Sequence, residues 1–507
     1  MAKFSNDEQL ESLKKDFKQL KDPVIGRQRI LELVKEEEED LDGYLSPWYK
    51  FSKKSKHVYP SQGLLETPYD YLDYHGTQML PQEVLFKTLR LRRFFLELFN
   101  HPIRIHSLKK VDQEKFTPPP KIECRAIEDA IGSGLTLAIG DMGASVVGDK
   151  YERISRSERY TQGPFIKLGK YARGVFVGSA SPDVWNSAAA TATMAASHSL
   201  CSIPRNGLLY DVKRQSDFAE EVFDWLARME NQILRGRSDR HEVASMWKRN
   251  VNGAIEANPS KALERAKALY DKGVRSFRVY SPEPGTGPID TLYAMRDEFG
   301  DEIELFAGQI VSVNQAKDAQ RAGADGLYVG IGGGGRCITG VRSGSVVDWP
   351  ELVWKFRGEI NIPVIAEGGA SDHIAITLLL GASGISVTRI VGGGTIESPG
   401  GALYYTGKGG SLFKPYGGEA SARTKYLDGK LLPFNVPSFV EGETRKSEMS
   451  YINFAMPTLT HNLHLLQEDV ILSLVFRGVK DIHELHALKP SPIRRITSSG
   501  DFQRNTH

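Results

Sequence analysis

From Pro259 to Thr388 the chain alternates between amphipathic helical stretches and short apolar runs, and this alternation constrains its fold more than any other feature. Pro259 to Asp271 sets Ala262, Leu263, Ala266 and Leu269 on one helical side, and Ser276 to Ser281 follows as a strand. Thr291 to Phe299 reads as helix and Ile303 to Ala307 as strand. Ser312 to Ala322 reads as a helix capped by Ser312 and stopped by Gly323. Asp325 to Val329 and Pro363 to Ala366 read as buried strands. Ser371 to Gly381 reads as a helix with Ser371 as N-cap and Gly381 just past its end, and Gly384 to Thr388 as the last strand. Strands separated by whole helices pair in parallel through right-handed crossovers, which predicts an α/β protein, a (β/α)8 TIM barrel.

Upstream the pattern is looser. Val175 to Ala180 predicts a strand, Trp185 to Ser197 an Ala-rich helix, and His198 to Ile203 a second strand leaving through Pro204-Arg205-Asn206-Gly207. Helical sequence from Phe218 to Leu234 continues on to Arg249.

Loops that follow the strands of such barrels line the active site. The run from Gly330 to Gly340 leaves one of these strand ends and carries Cys337. Glycines let the backbone approach a ligand closely, and a thiol there is a nucleophile once its thiolate is stabilised. A flexible glycine linker with an inert cysteine is the alternative reading of this run alone.

At 507 residues the chain has room for one large barrel and a further region. Lys and Arg total 65 against 63 Asp and Glu, a formal charge of +2, so charge gives no case for nucleic-acid or membrane binding. The three cysteines, Cys124, Cys201 and Cys337, have neither disulfide nor zinc spacing, which predicts a reducing, cytoplasmic setting. No apolar run approaches membrane-spanning length, and the polar N-terminus has no secretory core.

Residues 1–130 read as a mainly helical extension. It holds an amphipathic pair between Asn6 and Asp42 with an acidic end, an irregular Tyr-, Pro- and Lys-rich stretch from Tyr44 to Gly76, and a helix from Pro81 to Asn100. Pro118-Pro119-Pro120 predicts a linker. His57, His75, His101 and His106 lack metal-ligand spacing. Residues 131–507 are read as the barrel.

Within that barrel, Gly332-Gly333-Gly334-Gly335-Arg336-Cys337-Ile338-Thr339 resembles the Gly-x-Gly-Ser-x-Cys-x-Thr signature of the IMP dehydrogenase and GMP reductase family, with Gly335 in place of the serine. Ala366-Glu367-Gly368-Gly369, Glu397-Ser398-Pro399-Gly400, Tyr416-Gly417-Gly418 and Arg495-Ile496-Thr497-Ser498-Ser499-Gly500 match further motifs in the family's order. Helical sequence fills the interval where usual IMP dehydrogenases carry a pair of regulatory nucleotide-binding modules, so that pair is not expected.

The resemblance implies a purine nucleotide substrate, NAD or NADP as redox partner, a potassium ion and a homotetramer. Cys337 would be the nucleophile on a catalytic loop at residues 330–340, with Thr339 handling protons beside it, and Gly332, Gly334 and Cys337 would give carbonyls to potassium. Substrate contacts would come from Ser179, Gly335, Glu367, Gly368, Gly369, Arg389 and Tyr416, with Glu367 standing where the family has an aspartate for the ribose hydroxyls. Cofactor contacts would come from Ser281, Glu283 and Gln309. A flap at residues 401–445 would bring Lys425 and Tyr426 in place of a dehydrogenase Arg-Tyr pair, while Asp428-Gly429-Lys430 resembles a reductase's Glu-Gly-Lys. IMP dehydrogenase is the expected activity. GMP reductase, a diverged nucleotide enzyme, a silent paralogue that mediates assembly and a flavin-binding barrel are the alternatives.

Overall fold

The computed structural model describes residues 78–79, 116–133, 139–141, 159, 163–281, 285–331, 344–388, 405–406, 412–415, 418–419, 424, 431–432, 436–437, 449–452, 459–496 and 498–499. Eight strands form one parallel sheet: β1 (Phe176–Val177), β2 (Cys201–Ile203), β3 (Val251–Glu256), β4 (Ser276–Tyr280), β5 (Glu304–Gly308), β6 (Gly326–Val329), β7 (Val364–Ala366) and β8 (Gly384–Ser386). The sheet runs in sequence order from β2 to β8 and then to β1. Gly178, just past β1, bridges Cys201 of β2 in parallel, so the two ends of the sheet meet and the barrel closes.

The intervening helices are α1 (Ala188–Ala196), α2 (Val212–Ile233), α3 (Arg240–Arg249), α4 (Pro259–Asp271), α5 (Gly287–Phe299), α6 (Val313–Arg321), α7 (Trp349–Phe356) and α8 (Ile374–Leu380). Caps set their starts. Ser312 accepts from the Gln315 N–H, Asn258 from Lys261, Asp211 from Arg214 and Asp348 from Glu351. Gly323, at φ +92°, ends the turn after α6 as expected. A 3-10 turn, Gly207–Leu209, followed by α2 and α3 joins β2 to β3, so no additional module interrupts the barrel there.

Several elements differ from their predicted bounds, among them the helix expected from Thr291, which begins at Gly287, and the strand expected over Val175 to Ala180, which is Phe176–Val177. The helix expected from Trp185 to Ser197 is two, Pro182–Trp185 and α1, because Ser187 turns its side chain to cap Ala190 and restarts the helix. The strand expected from His198 is Cys201–Ile203 only, since His198 sits at φ +63° in a turn. The helix expected from Phe218 begins earlier, at Val212. Ser371 does not cap α8: it lies in a 3-10 turn, Ala370–His373, entered through Gly369 at φ +84°.

A hairpin, Phe165–Leu168 with Tyr171–Gly174, covers the end of the barrel where the strands begin. Its Arg173 reaches Glu304, the first residue of β5, and the Asn250 side chain just before β3. The 304 carboxylate also accepts from the Lys170 N–H in the hairpin turn. The opposite end, where the strands finish, is left for chemistry.

The prolines of the expected linker pack on this body. Pro119 accepts from Gly358 N–H, and the buried Arg357 binds the carbonyls of Pro120, Leu379 of α8 and His486 of a C-terminal helix, α10 (Ile482–Ala487). Cys124 and Ile127 join the barrel's hydrophobic core, and so do Leu459, Leu463, Val470 and Leu474 of α9 (Leu459–Arg477). No described helix is long and apolar enough to cross a membrane. In the flap region, Tyr405–Thr406 and Leu412–Pro415 pair antiparallel, flanked by Gln78–Met79 on one side and Met449–Ile452 on the other. A segment of the N-terminal extension thus adds a strand to the flap sheet. The remainder of residues 1–115 lies outside the described residues.

Candidate active site

The finishing ends of β1, β4, β5 and β7 carry the described members of the expected site on one rim. Ser281 follows β4 and Gln309 follows β5. The Ser281 N–H donates to Gly308 O and the Gln309 N–H to Ser281 O, at 2.9 and 3.0 Å, which sets the two residues side by side. Both amide atoms of the buried Gln309 side chain lack a partner among the described residues. Burying a carboxamide without hydrogen bonds is costly, so the geometry suits a ligand group offering both a donor and an acceptor.

Ser179 follows β1. Its N–H donates to the Thr388 hydroxyl at 2.8 Å, and the two hydroxyls are 3.0 Å apart. Trp185 Nε1 donates to the same oxygen at 3.3 Å. Thr388 thereby ties the ends of β1 and β8 together immediately before Arg389.

Glu367 follows β7, its N–H bonded to Val329 O of β6 at 2.8 Å. Gly330, which opens the glycine-rich loop, lies so close that a Cβ there would stand 2.2 Å from Glu367 O. The loop that carries Cys337 therefore leaves the barrel directly against Glu367. Gly368 and Gly369 take φ +72° and +84°, left-handed conformations that let the chain turn at once into the next element. Trp349 at the start of α7 donates Nε1–H to Gly368 O at 3.1 Å.

Beneath Glu367 the barrel interior is polar. Asn252 joins Ser202 to Ser276 through side-chain hydrogen bonds of 3.1 and 2.8 Å. Two residues along β4 from Ser276, Arg278 points the same way and binds Glu367 Oε2 at 2.8 Å. Its guanidinium lies 4.4 Å from the Tyr280 ring centre and 4.1 Å from that of Tyr328. Burial works against the charge of Arg278, but Glu367, Tyr328, Tyr280 and Glu419 outweigh it and raise its pKa. Burial also pushes the Glu367 carboxyl above its ordinary value, with Arg278 pulling the other way. Glu367 Oε1 is buried without a partner among the described residues.

At the rim, Glu419 meets Arg205 Nε at 2.8 Å and Asn206 Nδ2 at 2.6 Å, tying the segment after Tyr416 to the exit loop of β2. The sequence reading missed Arg278, Tyr328, Thr388 and this Arg205 to Glu419 contact. A signal for Arg278 was present: arginine seldom occupies a strand buried on both faces unless a carboxylate meets it.

Gly332, Gly334, Gly335, Cys337, Thr339, Arg389, Tyr416, Lys425, Tyr426, Asp428 and Glu283 lie outside the described residues. Among the described residues, no group of three or more His, Cys, Asp or Glu could hold a metal ion.

Comparison with known proteins agrees with this architecture. A family described as "IMP dehydrogenase / GMP reductase domain" matches residues 95–507. An inosine-5'-monophosphate dehydrogenase of Chlorobaculum parvum is 29% identical over 278 residues, 50% of this chain and 52% of that protein. One of Nitrosopumilus maritimus is 35% identical over 34% of this chain and 37% of its own length, and one of Cryptosporidium parvum 30% identical over 51% and 63%. The chain spans about half the length of the curated relatives it matches. With the family match running over well more than half of its residues, the chain belongs to the IMP dehydrogenase and GMP reductase family.

Proposed function

We propose that this protein is a nicotinamide-dependent oxidoreductase that converts IMP to XMP through a covalent adduct on Cys337. The observation that carries the proposal is the contact of Gly330 with the Glu367 backbone, which starts the Cys337 loop beside a buried carboxylate whose Oε1 has no partner among the described residues.

In this reading Glu367 accepts a hydrogen bond from a ribose hydroxyl, and Gly369, Gly335, Arg389 and Tyr416 hold the phosphate. Ser179 closes the β1 side of the substrate. The Cys337 thiolate forms a bond to the purine C2, and the hydrogen at C2 leaves with its electron pair. Splitting the substitution into two steps avoids a direct displacement of hydride by water. A bound nicotinamide dinucleotide supplies the hydride acceptor. Gln309 and Ser281, with Glu283 alongside, would hold it, and the unpartnered Gln309 amide fits such a donor and acceptor requirement. In the second step Lys425 and Tyr426 of the flap activate water, which bonds to C2 as the Cys337 sulfur leaves; Thr339 and Asp428 move the protons. Carbonyls of Gly332, Gly334 and Cys337 would hold a potassium ion that steadies the loop. We extend the family reading to a cytoplasmic homotetramer.

The test is incubation of the purified protein with IMP and NAD, following NADH absorbance, with Cys337→Ala as control. NADH formation that Cys337→Ala abolishes is the expected result. Consumption of NADPH with GMP would instead select the reductase, and silence with both nucleotides would overturn the proposal.

A further inference from the structure

We infer that Arg278 is a positioning residue that claims one oxygen of Glu367 and so leaves a single acceptor with which the site reads the sugar of its nucleotide. The inference rests on the substrate reading above and goes beyond it in the specificity it predicts.

Four observations carry it. Arg278 is in register with Phe306, inside the barrel, whereas Glu367 follows the last residue of β7, so the guanidinium reaches the carboxylate from the barrel interior. It binds Oε2 at 2.8 Å. The aromatic rings of Tyr280 and Tyr328 lie against the guanidinium and restrict its movement. Oε1, nine-tenths or more buried with its residue, has no partner among the described residues. A carboxylate free at both oxygens can chelate two vicinal hydroxyls. Here one oxygen is turned onto a fixed cation, and Oε1, with no partner among the described residues, is the better placed of the two to accept from a hydroxyl.

Glu367 is faced by Arg278 of β4 and by Glu419 at the rim. Arg278 in turn faces Tyr280, Tyr328 and Glu419, and Tyr328 faces Ser202 and Cys201 of β2. Among the described residues Arg278 is the cation that faces Glu367 and offsets the effect of burial on it.

The experiment is calorimetric titration of the full chain with IMP, 2′-deoxy-IMP and 3′-deoxy-IMP. One of the two deoxy nucleotides should bind within about threefold of IMP and the other at least about tenfold more weakly, the loss expected for an unmade hydrogen bond to a charged group. Equal losses for both would overturn the inference while leaving the substrate reading intact. Failure of the wild-type protein to bind IMP at all would overturn both.

Two variants add a readout that a purely structural role would not move. In Arg278→Leu the 367 carboxyl loses the cation that counters its burial and holds its proton to higher pH, so the ratio of variant to wild-type IMP affinity should climb as pH rises, whereas Arg278→Lys should keep the wild-type profile. A profile in folded Arg278→Leu that runs parallel to wild type would count against Arg278 as the holder of Glu367.

Discussion

Arg173 of the hairpin and Glu304 at the start of β5 meet at 2.6 Å with 0% and 2% of their side chains exposed. Neither has water to fall back on. Removing one partner strands a buried charge, so Glu304→Ala should cost about 3 to 5 kcal/mol in urea unfolding, whereas the paired replacement Arg173→Met with Glu304→Leu should recover part of that loss.

Arg357 joins three distant stretches through the carbonyls of Pro120, Leu379 and His486. Arg357→Leu takes this donor away from the buried carbonyls of Leu379 and His486. The expected outcome is a loss of about 3 kcal/mol, together with faster proteolytic cleavage near residues 116–120 and within α10, measured by mass spectrometry of the fragments.

His198 and His486 are both buried, and burial, reinforced by Arg237 for the first and Arg357 for the second, lowers each pKa from 6.5 to about 3. The unfolded chain takes up these protons near pH 6.5, but the folded chain resists until about pH 3. Their contribution to stability is therefore complete above pH 6.5 and is lost as pH falls toward 3. Each histidine should add about 1.4 kcal/mol per pH unit to the acid slope of unfolding free energy inside that window. His486→Gln should flatten the slope by one proton's worth; an unchanged slope would refute the assignment.

Gly330 takes φ +130°, and a methyl there would meet Glu367 O at 2.2 Å. Gly330→Ala should lose about 2 kcal/mol or more in thermal unfolding. Gly285→Ala is the comparison: its φ is +139°, but no described atom lies within 4 Å, so the difference between the two variants isolates the clash from the backbone conformation.

The barrel was legible because each strand is short, apolar and bracketed by a helix whose start residue announces itself, as Ser312 does before α6. Ser371 misled for a physical reason. It has the chemistry of a cap, but the buried Ala370 and the Thr377 hydroxyl bonded to Ala370 O hold the chain in a tight turn until Ile374. Glu367 and Gln309 could be located from motifs, since each follows an apolar strand directly. Arg278 carried only the signal of an arginine in a buried strand, because its partner is a carboxylate 89 residues away that barrel closure brings to it. Thr388 escaped for the same reason: its partner Ser179 is 209 residues distant.

The hairpin under the barrel acts as a stopper at the end where the strands begin. Its anchoring contacts on Glu304 and Asn250 share no residue with the rim that holds Ser179, Gln309 and Glu367. Exchange of rim side chains can therefore reshape the candidate site without loosening its foundation, so the rim has latitude to change while the vessel is kept.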